Sequence, residues 1–134
     1  MHGDFAPSNT LYGDGHVTAI LDFEFAGPDV RALDVAAGLV FAMRLWENPQ
    51  PLINATAFCR GYGQVQRLTP AESAALPWLM RLRNAASCIW WFGRSMVVGH
   101  QEAALARLAD MQQMVRWLEH HHASLLAILW HELP

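Results

Sequence analysis

The sequence predicts an α+β fold that is mostly α, with a β-hairpin set against five or six helices. The residues Gly13-Asp14-Gly15 accept positive φ and lie between two short apolar runs, which is the pattern of a tight hairpin turn. From about Val30 onward, apolar residues recur at intervals of three and four, as in helices. Thr69, Pro70 and Glu72 supply a cap residue, a proline at the first helical position and a glutamate three residues after the cap. The chain therefore begins with a small sheet and continues as helices.

The hairpin is predicted to consist of a strand at 10–12 and a longer strand at 16–23. Alternation along the second strand would place Asp22 and Glu24 on the same side. Before the hairpin, Pro7 lacks an amide hydrogen and restricts Ala6, so residues 2–9 are expected to form a fixed loop.

The helices follow in order. The first is predicted at 30–46, a linker at 47–51, and a second helix at 52–66. Pro77 is expected to separate a short helical turn from a helix at 78–98, which Gly99-His100 would end. The last helical run is predicted at about 102–133. Its expected core stripe consists of Leu105, Leu108, Met111, Val115 and Leu118.

Composition restricts the classes of function. A length of 134 residues fits one domain, 1–134, and no internal repeat or second domain is evident. The net charge of −3 gives no basic surface, so binding to nucleic acid or to an anionic membrane is not expected. No apolar run reaches about 18 residues and the opening residues lack a signal peptide's apolar core, so a cytoplasmic protein is expected.

Three oxygen-bearing side chains at the start of the chain indicate phosphoryl transfer. This reaction needs a carboxylate to orient and deprotonate the attacking hydroxyl, and oxygen ligands that hold Mg²⁺ on the phosphates. Kinases supply them from an H-x-D-x-x-x-x-N loop and a following D-F segment. His2-Gly3-Asp4 with Asn9, and then Asp22-Phe23, reproduce both in the same order. The sequence therefore predicts half of a phosphotransferase active site.

Each residue has a predicted role. Asp4 would be the general base or the group that aligns the substrate hydroxyl; an Asx-turn residue is the alternative. Asn9 would bind Mg²⁺ through its amide oxygen, and Asp22 would bridge the metal and the nucleotide phosphates. Glu24 would assist through the water shell of the metal, unless it is an ordinary exposed strand residue. His2 would act in catalysis by orienting the loop through hydrogen bonds rather than by transferring protons.

The segment HGDFAPSN, followed by AILDFEFAGPDVRALDVA, resembles the aminoglycoside phosphotransferase and choline kinase group of small-molecule kinases, which includes the type II homoserine kinases. The pattern of that group is HGDxxxxN, then I-D-F-[DE]-x-A-G, then a further Asp before a helix of small residues. Residues 1 to about 36 match it almost position by position, and residues 76–91 resemble it more loosely.

The resemblance implies the C-terminal lobe of a protein-kinase-like fold, with its catalytic-loop hairpin packed on the helices. Residues 1–36 would be the catalytic and metal-binding segment, and 37–134 the helical substrate-lobe subdomain. Asp34 would brace the catalytic loop; an ordinary aspartate at a helix start is the alternative. ATP and Mg²⁺ are the implied cofactors. The implied substrate is a small amino-containing molecule with a hydroxyl group, such as homoserine, an aminoglycoside or choline.

The N-terminal lobe of the family, with its nucleotide-binding loop and phosphate-binding lysine, would precede His2. All nine basic residues of the chain are arginine, so no lysine can play that part. The chain is therefore expected to be a truncated C-terminal part that is inactive alone and needs the missing lobe to use ATP. The alternative is a non-catalytic remnant, which could form a homodimer through an apolar face left bare. Whether the chain is an enzyme stays open at this point.

Aromatic and basic residues are concentrated between positions 78 and 94. Core packing is favoured over a substrate cleft for Trp78 and Trp90-Trp91. Arg81, Arg83 and Arg94 are expected to pair with carboxylates on the helical surface, without a sequence signal for which ones.

Overall fold

A computed structural model describes residues 1–43, 48–99 and 101–133 of the chain. Over these ranges it is mostly helical with one two-stranded sheet, which agrees with the predicted α+β class. In chain order the elements are a 3₁₀ turn (Pro7–Asn9), β1 (Thr10–Gly13), β2 (His16–Ile20), α1 (Ala32–Met43), α2 (Pro51–Gly63), α3 (Pro70–Val98), α4 (Gln101–His120) and α5 (His122–Glu132).

The hairpin forms as predicted at its turn but ends early. Asp14 and Gly15 both have positive φ, 52° and 79°, as a two-residue type I′ connection requires. A bulge leaves Thr18 without a partner between two paired positions of β2. The predicted extension of this strand to residue 23 is wrong, because β2 ends at Ile20 and Asp22 adopts a left-handed φ of 63°. Asp22 and Glu24 therefore do not alternate along a strand.

The first two helices pack closely because α1 presents small residues. Ala36, Ala37 and Gly38 are all buried, and a Cβ atom on Gly38 would lie 2.4 Å from the ring of Phe58 in α2. The beginning of α1 at Ala32 is two residues later than predicted, and the predicted end at 44–46 lies outside the described residues. Helix α2 begins and ends slightly earlier than predicted, at Pro51 and Gly63.

Helix α3 begins with the predicted capping box. The Thr69 hydroxyl accepts a hydrogen bond from the Glu72 amide at 3.2 Å, and the Glu72 carboxylate accepts one from the Thr69 amide at 2.7 Å. The predicted break at Pro77 is wrong, since α3 continues through it. Proline removes one helical hydrogen bond, but Pro77 is fully buried with Leu76 and Met80, and this apolar burial offsets the loss.

The end of α3 and the division of the last helices depend on backbone conformation. Gly99, with φ of 81°, ends α3 as predicted, while His100 lies outside the described residues. The predicted last helical run is divided at His121, whose φ of −109° and ψ of 14° interrupt the helix between α4 and α5.

The predicted core stripe of α4 is partly wrong. Leu105 is exposed, whereas Ala104, Met114 and Leu118 are buried. Two neighbouring stripes of a helix can carry similar apolar residues, so periodicity indicates a helix without deciding which stripe faces the core.

The core lies among the helices and not under the hairpin. Its fully buried members include Leu39 of α1, Leu76 and Met80 of α3, Leu118 of α4 and Leu129 of α5. Every side chain of β1 and β2 is exposed or half-buried. None of the described helices has the length and apolar character needed to cross a membrane.

An ion pair joins the residue before α1 to the first turn of α3. The Nε and Nη2 atoms of Arg31 donate to the two carboxylate oxygens of Glu72, each at 2.8 Å. This pairing with Arg31, followed by the hydrogen bonds from Thr69, lowers the pKa of Glu72 from 4.5 to about 2. Glu72 therefore caps α3 and fixes the start of α1 with one carboxylate.

The lowered pKa of Glu72 predicts a contribution to stability that depends on pH. Because the folded pKa is below the unfolded one, the contribution is complete above pH 4.5 and is lost as the pH falls toward 2. We expect the melting temperature of the wild type to fall more steeply across this window than that of Glu72→Gln. Thermal unfolding followed by circular dichroism from pH 6 to pH 2 measures both slopes. Glu119→Gln, at an exposed position of α4, is the control. Equal slopes for wild type and Glu72→Gln would show that Glu72 does not contribute to the pH dependence of stability.

Candidate active site

The buried His2 ring connects the start of the chain to the end of the hairpin. Its Nε2 atom lies 2.8 Å from the Leu21 carbonyl oxygen, and its Nδ1 atom accepts a hydrogen bond from the Asp4 amide at 3.3 Å. With Nδ1 as the acceptor, Nε2 is the nitrogen that can donate to the Leu21 carbonyl oxygen. Both nitrogens are thus engaged in holding the loop, which is the geometry that the predicted orienting role of His2 requires.

The Asp34 carboxylate holds the same loop from α1. Its two oxygens accept hydrogen bonds from consecutive backbone amides, those of His2 at 2.7 Å and Gly3 at 2.9 Å. Asp34 stands in the first turn of α1, where a carboxylate also complements the helix dipole. These contacts are the ones that the predicted bracing role would need.

Gly3 allows the loop to lie directly against the segment after the hairpin. Its φ is 83°, and a Cβ atom at this position would lie 2.4 Å from the Phe25 carbonyl oxygen, closer than any side chain allows. Beside it, the Met1 amino group donates to the Gly27 oxygen at 2.9 Å, and the Gly27 amide donates to the Met1 oxygen at 3.2 Å. Residues 1–3 and 25–27 therefore lie side by side.

Asp4 and Asn9 lie in contact at the two ends of the loop. The Asn9 amide nitrogen donates to the Asp4 carbonyl oxygen at 2.9 Å and to the Asp4 Oδ2 atom at 3.3 Å. With its nitrogen so used, Asn9 keeps its Oδ1 atom for other partners, apart from a long contact of 3.4 Å with the Ser8 hydroxyl. This is the orientation in which an amide oxygen could face a cation.

The other oxygen of Asp4 is paired with Arg83 of α3. Sequence reasoning expected Arg83 to pair with an unidentified carboxylate of the helical surface and did not connect it to Asp4. The two residues are 79 positions apart, and no local signal in the sequence joins them. Both side chains are about one quarter exposed, at 27% for Asp4 and 25% for Arg83, so solvent still reaches the pair.

Asp22 lies one residue beyond a junction between the hairpin and the loop. The Leu21 amide donates to the Asn9 carbonyl oxygen at 2.8 Å, while the Leu21 oxygen receives the His2 contact. Asp22 and Glu24 are both exposed, and neither carboxylate has a hydrogen-bond partner within the described part of the chain. Within the described residues, no hydrogen bond links Asp22 directly to Asp4 or Asn9.

The donor atoms of the predicted metal ligands fit magnesium. Asn9, Asp22 and Glu24 can each offer an oxygen ligand, and the two carboxylates have no hydrogen-bond partner among the described residues. Across residues 1–43, 48–99 and 101–133, no three His, Cys, Asp or Glu side chains form a metal-binding group. The predicted set of Asn9, Asp22 and Glu24 contains two residues of those types.

Two of the tryptophans between positions 78 and 94 do not lie in the core. Trp78 and Trp90 are exposed, so the prediction of core packing is wrong for them. Guanidinium groups cover their rings instead: Arg81 lies 4.7 Å from the centroid of Trp78, and Arg94 lies 5.3 Å from that of Trp90. For these two arginines the described residues provide an aromatic partner rather than the predicted carboxylate.

Comparison with known proteins places the chain in a family. The family model described as "Phosphotransferase enzyme family" matches residues 1–78, which include the loop, the hairpin, Asp34 and the start of α3. No solved structure matches the chain.

Similar curated proteins carry the name homoserine kinase. The one from Granulibacter bethesdensis is 34% identical over 81 residues, covering 58% of this chain and 24% of that protein. The one from Xanthobacter autotrophicus is 33% identical over 128 residues, covering 92% of this chain and 38% of that protein. The one from Gluconobacter oxydans is 38% identical over 80 residues, covering 59% and 25%. The chain thus matches about a quarter to two fifths of the length of these relatives. Because the family model covers more than half of the chain, including every residue of the loop, the chain belongs to the phosphotransferase enzyme family.

Proposed function

We propose that this chain forms the catalytic loop and the acceptor-binding helices of an ATP-dependent small-molecule kinase, in a lobe like the C-terminal lobe of protein kinases. The observation that carries the proposal is the closed loop in which Asn9 binds Asp4 while Asp34 holds the amides of His2 and Gly3. In this proposal residues 1–36 supply catalysis and metal binding, and residues 37–134 bind the acceptor. A nucleotide-binding lobe is required in addition.

Asp4 acts on the acceptor hydroxyl. Its carboxylate accepts the hydrogen bond of the hydroxyl and aligns the oxygen for attack. It takes the proton as the oxygen–phosphorus bond forms and the bond from the γ-phosphorus to the departing ADP breaks. Asn9 and Arg83 each hold one oxygen of this carboxylate, which fixes its direction before the acceptor arrives. His2 and Asp34 act through the backbone of the loop and are positioning residues.

Asn9 and Asp22 would hold magnesium, with Glu24 placed to bind a water molecule of its shell. Magnesium-bound ATP supplies the phosphoryl group and neutralises charge that develops during transfer. Two protein oxygen ligands suffice for Mg²⁺ when phosphates and water complete its coordination. The exposure of Asp22 and Glu24 supports this part of the proposal, because both carboxylates are accessible to a metal–nucleotide complex.

Homoserine is the proposed acceptor, in preference to an aminoglycoside or choline. The relatives that match the chain over 92% of its length are named homoserine kinases. This similarity extends beyond the catalytic loop into the helices that would contact the acceptor.

A second candidate function is a non-catalytic module that self-associates. The observation in its favour is the apolar end of α3, where Ile89, Met96 and Val97 are 74%, 87% and 85% exposed. The proposed occupant of this surface is the same surface of a second copy.

Asp4→Asn tests the kinase proposal. The chain is assayed fused behind a nucleotide-binding lobe from an active homoserine kinase, with ATP and L-homoserine, and phosphohomoserine is followed by ³¹P NMR. We expect Asp4→Asn to lower kcat by about 10²–10⁴-fold, because an amide cannot accept the proton. Asp14→Asn, in the exposed hairpin turn, is the matched control and should retain activity. Turnover by Asp4→Asn at the control's rate would remove Asp4 from the mechanism.

Asp34→Asn tests whether the Asp34 carboxylate holds the loop through the His2 and Gly3 amides. The variant keeps one acceptor oxygen and leaves one loop amide unpaired, so we expect a loss of about 1–3 kcal/mol in the free energy of unfolding. Amide exchange at His2 and Gly3 should accelerate, while exchange in α3 is unchanged. Denaturant unfolding and hydrogen exchange measure the two effects, with Asp29→Asn in the exposed segment before α1 as the control. Unchanged protection of both amides would show that Asp34 does not hold the loop.

Sedimentation velocity tests self-association. If α3 forms a dimer surface, the sedimentation coefficient should rise with protein concentration, and Met96→Glu should abolish the rise by placing a charge in the apolar contact. Glu119→Gln is the control. A coefficient that does not change with concentration would refute the dimer.

A further inference from the structure

We propose that the small cavity between α1, α3 and α4 binds ordered water molecules that hold the Arg83 guanidinium against Asp4. In this inference Asn84 and Asp110 are positioning residues that act through the water. The effect on catalysis rests on the proposed kinase function, whereas the water site itself does not.

The cavity has the size of a water site. Its volume is about 40 Å³. One buried water molecule needs about 10–15 Å³ of such space, so about two or three water molecules fit. Val40, Phe41 and Cys88 form the apolar part of the wall. The polar part consists of Arg83, Asn84, Ser87, Arg107 and Asp110.

Two buried donors at the cavity have no protein acceptor. The Nε atom of Arg83 and the Nδ2 atom of Asn84 are both buried and unpaired within the described residues. They belong to adjacent residues of α3, and both residues line the cavity. An unpaired buried donor is costly, and such groups are normally satisfied by protein or by ordered water. A water molecule can accept a hydrogen bond from each of them.

An acceptor without a protein partner lies on the facing helix. Asp110 of α4 lines the cavity and is half-buried. In the part of the chain that the structure describes, its carboxylate makes no hydrogen bond or ion pair. A buried water molecule typically makes about three hydrogen bonds. Water held by Arg83 and Asn84 can therefore donate to Asp110, directly or through a second water molecule.

Charge balance favours water over a small anion. Arg83 is already paired with Asp4, and the Arg107 guanidinium lies 5.3 Å from the centroid of the Trp91 ring. The Asp110 carboxylate would repel an anion in the same cavity. Among the described residues that line the cavity or pair with its walls, two guanidinium groups are matched by two carboxylates, so no excess positive charge would hold an anion.

Arg83 transmits the effect of the water to the catalytic loop. Its Nη2 atom pairs with Asp4, while its Nε atom is the unpaired donor at the cavity. The guanidinium is planar with fixed donor directions. A hydrogen bond at Nε therefore limits the rotation of the plane whose Nη2 atom meets Asp4. Water in the cavity would thus keep Arg83 in the orientation that aligns the Asp4 carboxylate.

Detection of water by NMR tests the site in the 134-residue chain. Nuclear Overhauser spectra should show contacts between water and the Val40 methyl groups, with the sign that long-lived bound water gives. Ser87→Ala removes a hydroxyl that could relay the signal and should keep these contacts. Ser87→Leu fills the cavity with apolar atoms and should abolish them.

Two results would overturn the water site. The first is the absence of contacts between water and the Val40 methyl groups in the wild type. The second is a saturable shift of the Asn84 side-chain amide with sodium chloride but not with sodium gluconate, which would place an anion in the cavity.

Kinetics of the fused kinase test the positioning role. Ser87→Leu and Asp110→Leu should each lower kcat by about tenfold or more and change KM much less, because Asp4 loses its alignment. Asp110→Asn keeps an acceptor oxygen and should restore most of the loss. In a chain that already carries Arg83→Gln, Ser87→Leu should cause no further loss, since the water acts through Arg83. Ser124→Leu, at an exposed position of α5, is the control.

The possible outcomes separate this inference from the proposed function. Unchanged kcat in Ser87→Leu and Asp110→Leu, or a full additional loss on the Arg83→Gln background, would overturn the positioning role and leave the kinase intact. A wild-type fusion without turnover would overturn the kinase proposal and the positioning role together, while the NMR contacts would still establish the water site. Melting temperatures show whether each variant folds, and Asp110→Leu gives a second route if Ser87→Leu does not.

Discussion

The double hydrogen bond from Asp34 to the amides of His2 and Gly3 is the contact on which the candidate site depends. It joins an irregular loop to α1, whose buried face is part of the helical core. Because the two amides directly precede Asp4, a shift of Asp34 would move the proposed catalytic carboxylate with it. Gly3 makes the arrangement possible, since its left-handed backbone and missing side chain let the loop lie against Phe25. The loop thus takes its position from the core without contributing large apolar side chains to it.

Helix α3 fixes the same region at two points. Arg31, next to α1, pairs with Glu72 in the first turn of α3, and about three turns later Arg83 reaches Asp4. Both pairs are partly exposed, so they add little to the free energy of unfolding compared with the core. Their importance lies in geometry, because they set the rotation of α3 relative to the loop. Arg83, Asn84 and Ser87 of α3 line a small cavity together with residues of α1 and α4. A single helix therefore holds both the residue before α1 and the loop that carries Asp4.

The parts of the fold that the sequence predicted correctly are those set by neighbouring residues. The turn at Asp14-Gly15, the capping box of Thr69 and Glu72, and the end of α3 at Gly99 each depend on a few adjacent backbone angles. The wrong predictions concern features set by distant contacts. Pro77 remains helical because the core buries it, and the stripe of α4 that faces inward is chosen by its packing partners. The bulge in β2 and the left-handed Asp22 end a strand that alternation alone would extend, and the exposure of Trp78 could not be inferred from its apolar character.

The sequence by itself determined the family, and it pointed to the residues of the loop that are proposed to act in catalysis. Asp4 and Asn9 are five residues apart in a segment that contains Pro7, for which a fixed loop was predicted, and they are hydrogen-bonded across that loop. Asp22 and Asp34 stand at the intervals of the family pattern, and that pattern can be recognised from the sequence alone. The tertiary structure alone decided that Arg83 reaches Asp4 and that Arg107 and Asp110 of α4 share a cleft with it. The physical reason is that contacts between residues so far apart in the chain follow from how the helices pack, and helix periodicity carries no information about which helix a given face will meet.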